Sequence, residues 1–205
     1  MTTPTTPSSP TVVTLTKDDG AADLDGVTRM GIGASWDTTT GGSGGLMGAL
    51  KKARGTDLDA FAILMSGQDP VRFAGLDVTD PLQNGAVTST GDNQTGRGDG
   101  DDELLEVTFD KVPPQVTSIV FVCVAYKKGS DLKKAANVSF KVYDSSDGTM
   151  AQVADIWPSL LGSGNAVAVA KAYRVGSSWK LEVVNERGTV RQADQDSLLR
   201  FAVGK

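Results

Sequence analysis

The segment that is most informative about the fold is LLEVTFDKVPPQVTSIVFVCVAY, residues 104–126. Apolar and polar residues alternate from Leu104 to Phe109, which is typical of a strand with one buried face. The run from Ile119 to Tyr126 is apolar throughout, so it is the best candidate for a central strand. Because Pro113 and Pro114 lack the amide hydrogens that strand pairing requires, the segment predicts two strands joined by a crossover.

A pattern of short strands and turns extends in both directions from this segment. Gly, Pro and Asp turn signals separate the strands, and no long helices intervene. In residues 27–35, Met30 and Ile32 fall on one face and are expected to point inward. The pattern predicts an all-β fold, an antiparallel β-sandwich of two sheets with short peripheral helices. The further predicted strands are residues 12–16, 27–35, 57–65, 71–76, 85–89, 138–144, 150–156, 166–175 and 179–184.

The chain is predicted to form one domain, residues 12–205, behind a leader at residues 1–11 that is rich in Thr, Pro and Ser. The leader has too little apolar area to offset the entropy lost on ordering, so it is expected to be disordered. Residues 46–54 place apolar side chains at helical spacing and predict a short amphipathic helix. A second short helix is predicted at residues 194–201.

Residues 92–103, DNQTGRGDGDDE, form an acidic segment directly before the strand at Leu104. Its five carboxylates face one basic residue, Arg97, so they repel one another unless a proton or a cation offsets their charge. Alternate glycines allow the backbone to turn its carbonyls inward as further ligands. Oxygen donors without His or thiol favour a hard ion, and Ca²⁺ accepts irregular coordination more readily than Mg²⁺. The segment predicts a Ca²⁺ site, and the alternative is a solvated acidic turn.

Asp57 and Asp59 form a second acidic pair at the start of a predicted strand. Their side chains leave the same face of the strand, with Cα atoms about 6.5 Å apart, so they can bracket one ion. The alternative is an ordinary pair of turn residues. Because Phe61 and Ile63 continue that face, the pair should lie at the end of a sheet rather than in the core. Loops gather at the ends of a sandwich, so the pair can meet the acidic segment.

The acidic segment differs from two known types of calcium loop. It has the twelve-residue span of an EF-hand, but Gln94 and Gly96 stand where that loop has Asp or Asn, and Arg97 stands where it has Gly. Residues 98–104 fit most of a calcium-binding β-helix repeat, but such repeats occur in tandem and this one is alone. Neither type of loop therefore explains the segment.

Several motifs around the acidic segment form one pattern: TGDNQTG at residues 90–96, GDGDDE at 98–103, IGASWD at 32–37, TDLDA at 56–60 and VTSIVFV at 116–122. This pattern resembles the signature of the TerD family, the tellurium-resistance and stress-response proteins. The resemblance spans about residues 12–185 and implies a calcium-binding β-sandwich without established catalysis. The metal ligands that it implies are Asp57, Asp59, Asp92, Asn93, Asp101, Asp102 and Glu103.

The sequence departs from the family pattern at one element that bears on the metal site. Where the family often has an aromatic residue followed by two Asn, this chain has FAGLD at residues 73–77. Ligands normally drawn from those Asn side chains are therefore missing, and Asp77 is the residue that could replace them. Ser35 also stands where Gly is usual in the family's glycine-Trp-Asp element.

The composition excludes several classes of function. The chain has 205 residues without histidine, which removes Ser-His-Asp and Cys-His catalysis and His-ligated zinc. The single cysteine, Cys123, lies in an apolar run and is expected to be a buried packing residue. A net charge of −5 argues against nucleic-acid and anionic-membrane partners. The sequence shows no membrane span or secretion signal, so a cytoplasmic location is expected.

The sequence favours a binding module over an enzyme. In this interpretation Ca²⁺ orders the acidic loops into a surface for a protein partner, and association depends on calcium. One alternative is a metal-dependent hydrolase, in which Asp57, Asp59 or Asp92 helps to hold Mg²⁺ or Mn²⁺ and another carboxylate acts as base. A second alternative is a structural assembly subunit that uses residues 1–11 as a tether.

Overall fold

The computed structural model of the chain describes residues 12–38, 58–90, 101–126, 128, 132–159 and 163–205. In these ranges the strands are β1 (Val13–Leu15), β2 (Ala22–Asp23), β3 (Arg29–Thr38), β4 (Asp59–Ser66), β5 (Asp69–Ala74), β6 (Val87–Ser89), β7 (Glu103–Thr108), β8 (Ser118–Val124), β9 (Ala135–Asp144), β10 (Ala151–Ile156), β11 (Ala166–Val175) and β12 (Ser178–Gly188). Sheet A has the order β1-β10-β9-β3-β7-β6, and sheet B has the order β2-β12-β11-β8-β4-β5. The predicted all-β sandwich of two sheets is confirmed.

The crossover predicted between residues 104 and 126 is the step from one sheet to the other. β7 pairs with β3 and β6 in sheet A, whereas β8 pairs with β4 and β11 in sheet B. A short 3-10 turn, Phe109–Lys111, and the two prolines occupy the connection between the two strands. β8 is an interior strand of its sheet, as its apolar sequence predicts.

The main core lies between the two sheets. Alternate residues of β7, including Leu105 and Val107, point into it, and Ile119 and Phe121 of β8 face them from sheet B. Met30 and Ile32 were expected to point inward, and each is 1% exposed. Alternation along each strand therefore assigns the inner faces, because successive side chains of a strand leave opposite sides of the sheet.

A second apolar cluster covers the outer face of sheet B. It combines the intervening residues of β4 and β8, such as Phe61, Ile63 and Val122, with Leu198 of the helix α1 (Gln195–Phe201). The Asp194 side chain accepts a hydrogen bond from the Ser197 amide at 2.8 Å and caps this helix. The terminal helix is confirmed, and its packing explains why β8 is apolar on both faces.

Some elements differ from the expectation. β2 pairs with β12 but is only two residues long, so it is too short to show an alternation of apolar and polar residues in the sequence. β9 begins at Ala135, directly after a 3-10 turn at Leu132–Lys134, and thus earlier than predicted. β1 pairs with β10 in parallel, in an otherwise antiparallel sheet. The predicted leader at 1–11 and helix at 46–54 lie outside the described residues.

Within the described ranges, no helix has the length and apolar character needed to cross a membrane.

Candidate cation site at the acidic end of the sandwich

Asp59 is the first residue of β4, at the end of sheet B where the sequence placed it. Its carboxylate is fully buried, at 0% exposure, which differs from the expectation of a site outside the core. Oδ2 accepts a hydrogen bond from the Tyr126 amide at 3.3 Å. β4 pairs with β8 from its first residue, so Asp59 lies opposite Val124.

Glu103 connects the end of the acidic segment in sheet A to the start of β4 in sheet B. It is the first residue of β7, is 2% exposed, and its Oε2 accepts from the Ala60 amide at 2.7 Å. β5 pairs with β4 only as far as Ala62. The Glu103 carboxylate therefore supplies a hydrogen-bond acceptor for the Ala60 amide, which lies beyond the residues that pair with β5. This contact brings Glu103 beside Asp59 although the two residues are far apart in sequence.

The electrostatic effect of this pair is evident at Cys123, which lies opposite Ala60 on β8. Burial raises the pKa of the Cys123 thiol well above its ordinary value, Glu103 and Asp59 raise it further, and Arg187 partly opposes them. The thiol is 1% exposed, so the expected packing role of Cys123 is confirmed. The two carboxylates therefore disfavour the thiolate form of Cys123.

Asp101 lies elsewhere, on the outer face of sheet A. Its Oδ1 accepts from Ser35 Oγ at 2.9 Å and from Lys141 Nζ at 2.7 Å, and its Oδ2 accepts from the Tyr143 hydroxyl at 2.6 Å. The carboxylate occupies the space that a side chain at Gly33 would need. Burial, together with the hydrogen bond and charge of Asp101, raises the pKa of Tyr143 above its ordinary value.

Asp102 directly precedes β7 and continues its pairing with β3 by one residue. Its amide donates to the Ala34 carbonyl at 2.7 Å, and its Oδ2 accepts from the Trp36 amide at 3.0 Å. The three consecutive acids at 101–103 thus reach the outer face of sheet A, the backbone of β3 and the core, respectively.

The remaining candidate ligands, Asp57, Asp92 and Asn93, lie outside the described residues. In the part of the chain that is described, no group of three or more His, Cys, Asp or Glu side chains is placed to hold a metal ion. Asp77, the residue available to replace the missing Asn pair, is exposed after β5. The structure therefore brings Asp59 and Glu103 together and separates Asp101 from them.

Sequence reasoning missed the residues that hold Asp101, namely Ser35, Lys141 and Tyr143. Lys141 and Tyr143 alternate with the buried Phe140 and Val142 along β9, so the strand pattern places them on an outer face. That pattern does not reveal which strand lies beside β9. The pairing of Gly33 with Lys141, which creates the pocket for Asp101, is a long-range event.

A comparison with known protein families shows which family this chain belongs to. The sequence model of the TerD domain matches residues 12–192, most of the chain. The chain belongs to the TerD domain family. It is 30% identical over 183 residues to stress response protein SCP2 of Bacillus subtilis, a match that covers 86% of this chain and 90% of that protein.

Further TerD-family proteins are similar in sequence or in structure. The chain is 31% identical over 140 residues to tellurium resistance protein TerD of Serratia marcescens, covering 63% of this chain and 70% of that protein. The crystal structure of a TerD homologue from Streptomyces coelicolor superposes with a TM-score of 0.63 at 17% identity, covering 87% of this chain and 97% of that one. At this identity the structural likeness concerns the fold alone.

Proposed function

We propose that this TerD-domain protein is a calcium-binding module of the stress-response and tellurium-resistance type. The ion orders the acidic segment into a surface that binds a protein partner. The observation that carries the proposal is the contact of the Glu103 carboxylate with the Ala60 amide, beside the buried Asp59. Two acidic regions of the sequence meet at this contact, as a shared ion would require.

The chemistry of the donors fits a hard divalent ion. Burying two carboxylates is costly unless positive charge or hydrogen bonds offset the loss of water, and a bound ion supplies such charge. Asp59, Asp102 and Glu103 would contribute ligands from the described part of the chain. Asp57, Asp92 and Asn93 would complete the set with oxygen donors, which Ca²⁺ accepts. Asp101 has an anchoring role in this proposal, because Ser35, Lys141 and Tyr143 already hold it.

The names of the relatives support a role in stress response. One is a stress response protein and another is a tellurium resistance protein. We propose a binding role rather than catalysis, since the chain has no histidine and its one cysteine is buried with a raised pKa. A module of this kind would act by presenting its ordered acidic end to the partner.

Calorimetric titration of the full chain with Ca²⁺ tests the proposal. We expect saturable binding that Glu103→Gln weakens at least about tenfold, because loss of one charged ligand removes a strong ion contact. Glu106→Gln is the matched control: Glu106 lies on the same strand but pairs with Arg29 at 2.9 Å. Asp92→Asn and Asp59→Asn identify further ligands.

The outcome of the titration decides between an ion site and an acidic turn. No heat of binding at about 10 mM Ca²⁺, roughly tenfold above the Kd of the weakest extracellular calcium modules, would refute the proposal. Equal losses in Glu103→Gln and Glu106→Gln would assign the effect to net charge instead. Sedimentation with and without Ca²⁺ then shows whether self-association depends on the ion.

A further inference from the structure

A cleft lies at the end of β7 that is opposite Glu103. It has a volume of about 280 Å³ and lies between the β2–β3 loop, the 3-10 turn after β7 and the β11–β12 hairpin. Pockets for drug-sized ligands occupy about 300–1,000 Å³, so this cleft suits a smaller molecule. Its lining residues are Leu24, Asp25, Gly26, Val27, Thr28, Phe109, Asp110, Val112, Arg174, Ser177, Ser178 and Trp179.

The walls of the cleft include a packed aromatic pair. The rings of Phe109 and Trp179 are 5.0 Å apart and tilted by 32°, and Trp179 is 4% exposed. Leu24, Val27 and Val112 add aliphatic surface around them. Aromatic rings that are already buried lose little freedom on binding, so this wall is preorganised for an apolar group.

Arg174 supplies a positive charge that is held in place. Its guanidinium lies 4.5 Å from the centre of the Trp179 ring, and its Nη2 donates to the Val112 carbonyl at 3.1 Å. Its Nε–H is buried and has no acceptor among the described residues. A guanidinium that is stacked on an aromatic ring and has an N–H without an acceptor is well suited to bind a carboxylate.

Two aspartates also line this cleft. Asp25 and Asp110 are both exposed members of the lining. In the described structure neither carboxylate forms an ion pair with Arg174. Opposite charges that face one cavity but do not contact each other are complementary to a ligand with separated charges. A dianion such as phosphate would be repelled by the two aspartates, and a simple cation by Arg174.

We propose that this cleft binds a small zwitterion of amino-acid size with an apolar side chain. The carboxylate of the ligand binds the Arg174 guanidinium, its ammonium group faces Asp25 and Asp110, and its apolar part packs on Phe109 and Trp179. The hydroxyls of Ser177, Ser178 and Thr28 are available as further hydrogen-bond partners. The site is independent of the cation site, because it lies at the other end of β7.

Nuclear magnetic resonance of the full, ¹⁵N-labelled chain tests this site, with L-phenylalanine as the probe. We expect the Nε–H signal of Arg174 and the indole N–H signal of Trp179 to shift together, with a Kd of about 1 mM for a ligand this small. The matched probes are 3-phenylpropanoate, which lacks the amine, phenethylamine, which lacks the carboxylate, and inorganic phosphate. Each of the three should bind at least about tenfold more weakly, because each lacks one of the two charge contacts.

Two variants give independent checks. Arg174→Lys retains the charge but loses the planar fork, so it should weaken L-phenylalanine binding about tenfold. Arg200→Lys on the exposed side of α1 is the control and should bind as the parent does. Asp110→Asn should weaken L-phenylalanine but not 3-phenylpropanoate, and this variant keeps the Arg174 and Trp179 contacts. No shift at about 10 mM L-phenylalanine, or an equal response to phosphate, would overturn the proposal.

Discussion

Asp101, Asp102 and Glu103 are neighbours in sequence, yet their carboxylates end in three different environments. Glu103 points into the core because it is the first of the alternate β7 residues that face inward. Asp101 instead lies over Gly33 on the opposite face of sheet A. The acidic character of a segment therefore does not show which of its residues can share an ion. Backbone direction at each residue decides that assignment.

Gly33→Ala should show how much the anchoring of Asp101 contributes to stability. A methyl group at residue 33 would occupy the position of the Asp101 carboxylate, so the contacts with Lys141 and Tyr143 must break. We expect a loss of about 1–3 kcal/mol in the free energy of unfolding, measured with urea. In an Asp101→Ala background the same change should cost under about 0.5 kcal/mol. An equal cost in both backgrounds would contradict this explanation.

Tyr143 should make the stability of the fold fall in alkaline solution. Burial and the Asp101 hydrogen bond raise the pKa of Tyr143 above its ordinary value of 10.0. The folded state therefore retains the phenolic proton when the unfolded state has lost it. The contribution is complete below the ordinary pKa and is lost as the pH rises above it.

This effect is measured by comparing urea unfolding of the parent and Tyr143→Phe on either side of the ordinary tyrosine pKa. The parent should lose more stability than the variant at high pH, and near-ultraviolet titration should show one tyrosine fewer at the alkaline end. Asp101→Asn should bring the pKa of Tyr143 closer to its ordinary value. Parallel pH profiles for parent and Tyr143→Phe would show that another group titrates.

At the scale of elements, α1 packs on the outer face of sheet B. The outer face of sheet A instead carries polar side chains such as Lys141 and Tyr143. Leu198 is 0% exposed against residues of β4 and β8 such as Phe61 and Val122. Gly188, at the end of β12, leaves room for the Phe201 ring, which a larger side chain would strike. The helix is therefore part of the core although it is the last element of the chain.

Leu198→Ala should destabilise the protein by about 2–5 kcal/mol, because it removes buried apolar atoms and leaves a cavity that the sheet cannot fill. Arg200→Ala, on the exposed side of the same helix, should change stability by less than about 0.5 kcal/mol. Chemical unfolding measures both variants. Equal losses would contradict the packing explanation, because Ala is the better helix former at both positions and only Leu198 is buried.

At the scale of the whole molecule, β7 links two ends with different chemistry. Glu103 at its start lies in the buried acidic end, and Phe109, just beyond its last residue, lines the cleft with Arg174. A ligand at either end would bind residues of both sheets. Binding at each end should therefore stabilise the packing of one sheet on the other.

Calcium bound at the proposed site should raise the stability of the full chain. At a hundredfold excess over Kd the gain should be about 2.7 kcal/mol, because only the folded state assembles the ligands. Thermal unfolding with Ca²⁺, with Mg²⁺ and with a chelator measures it. With binding at least about tenfold weaker, Glu103→Gln should gain no more than about 1.4 kcal/mol at the same Ca²⁺ concentration, whereas Glu106→Gln should behave as the parent. Superimposable curves for the parent in all three conditions would contradict the ion site.

The fold could be predicted largely from local patterns, and the site only in part. Alternation gave the strands and the inward direction of Met30 and Ile32, and the Pro113-Pro114 pair gave the crossover. β2, the parallel pairing of β1 and the partners of Asp101 could not be obtained in this way. Each depends on which distant strand lies alongside, which no local pattern specifies.

The sequence by itself determined that this protein is an all-β sandwich with an oxygen-rich acidic segment and without histidine chemistry. Those properties follow from residue type and spacing, which act over a few positions. Only the tertiary structure decided that Glu103 reaches the Ala60 amide, that Asp101 is held by Lys141 and Tyr143, and that Arg174 shares a cleft with Asp25. The physical reason is that burial and charge contacts depend on strand order and register, which bring together residues from distant parts of the chain.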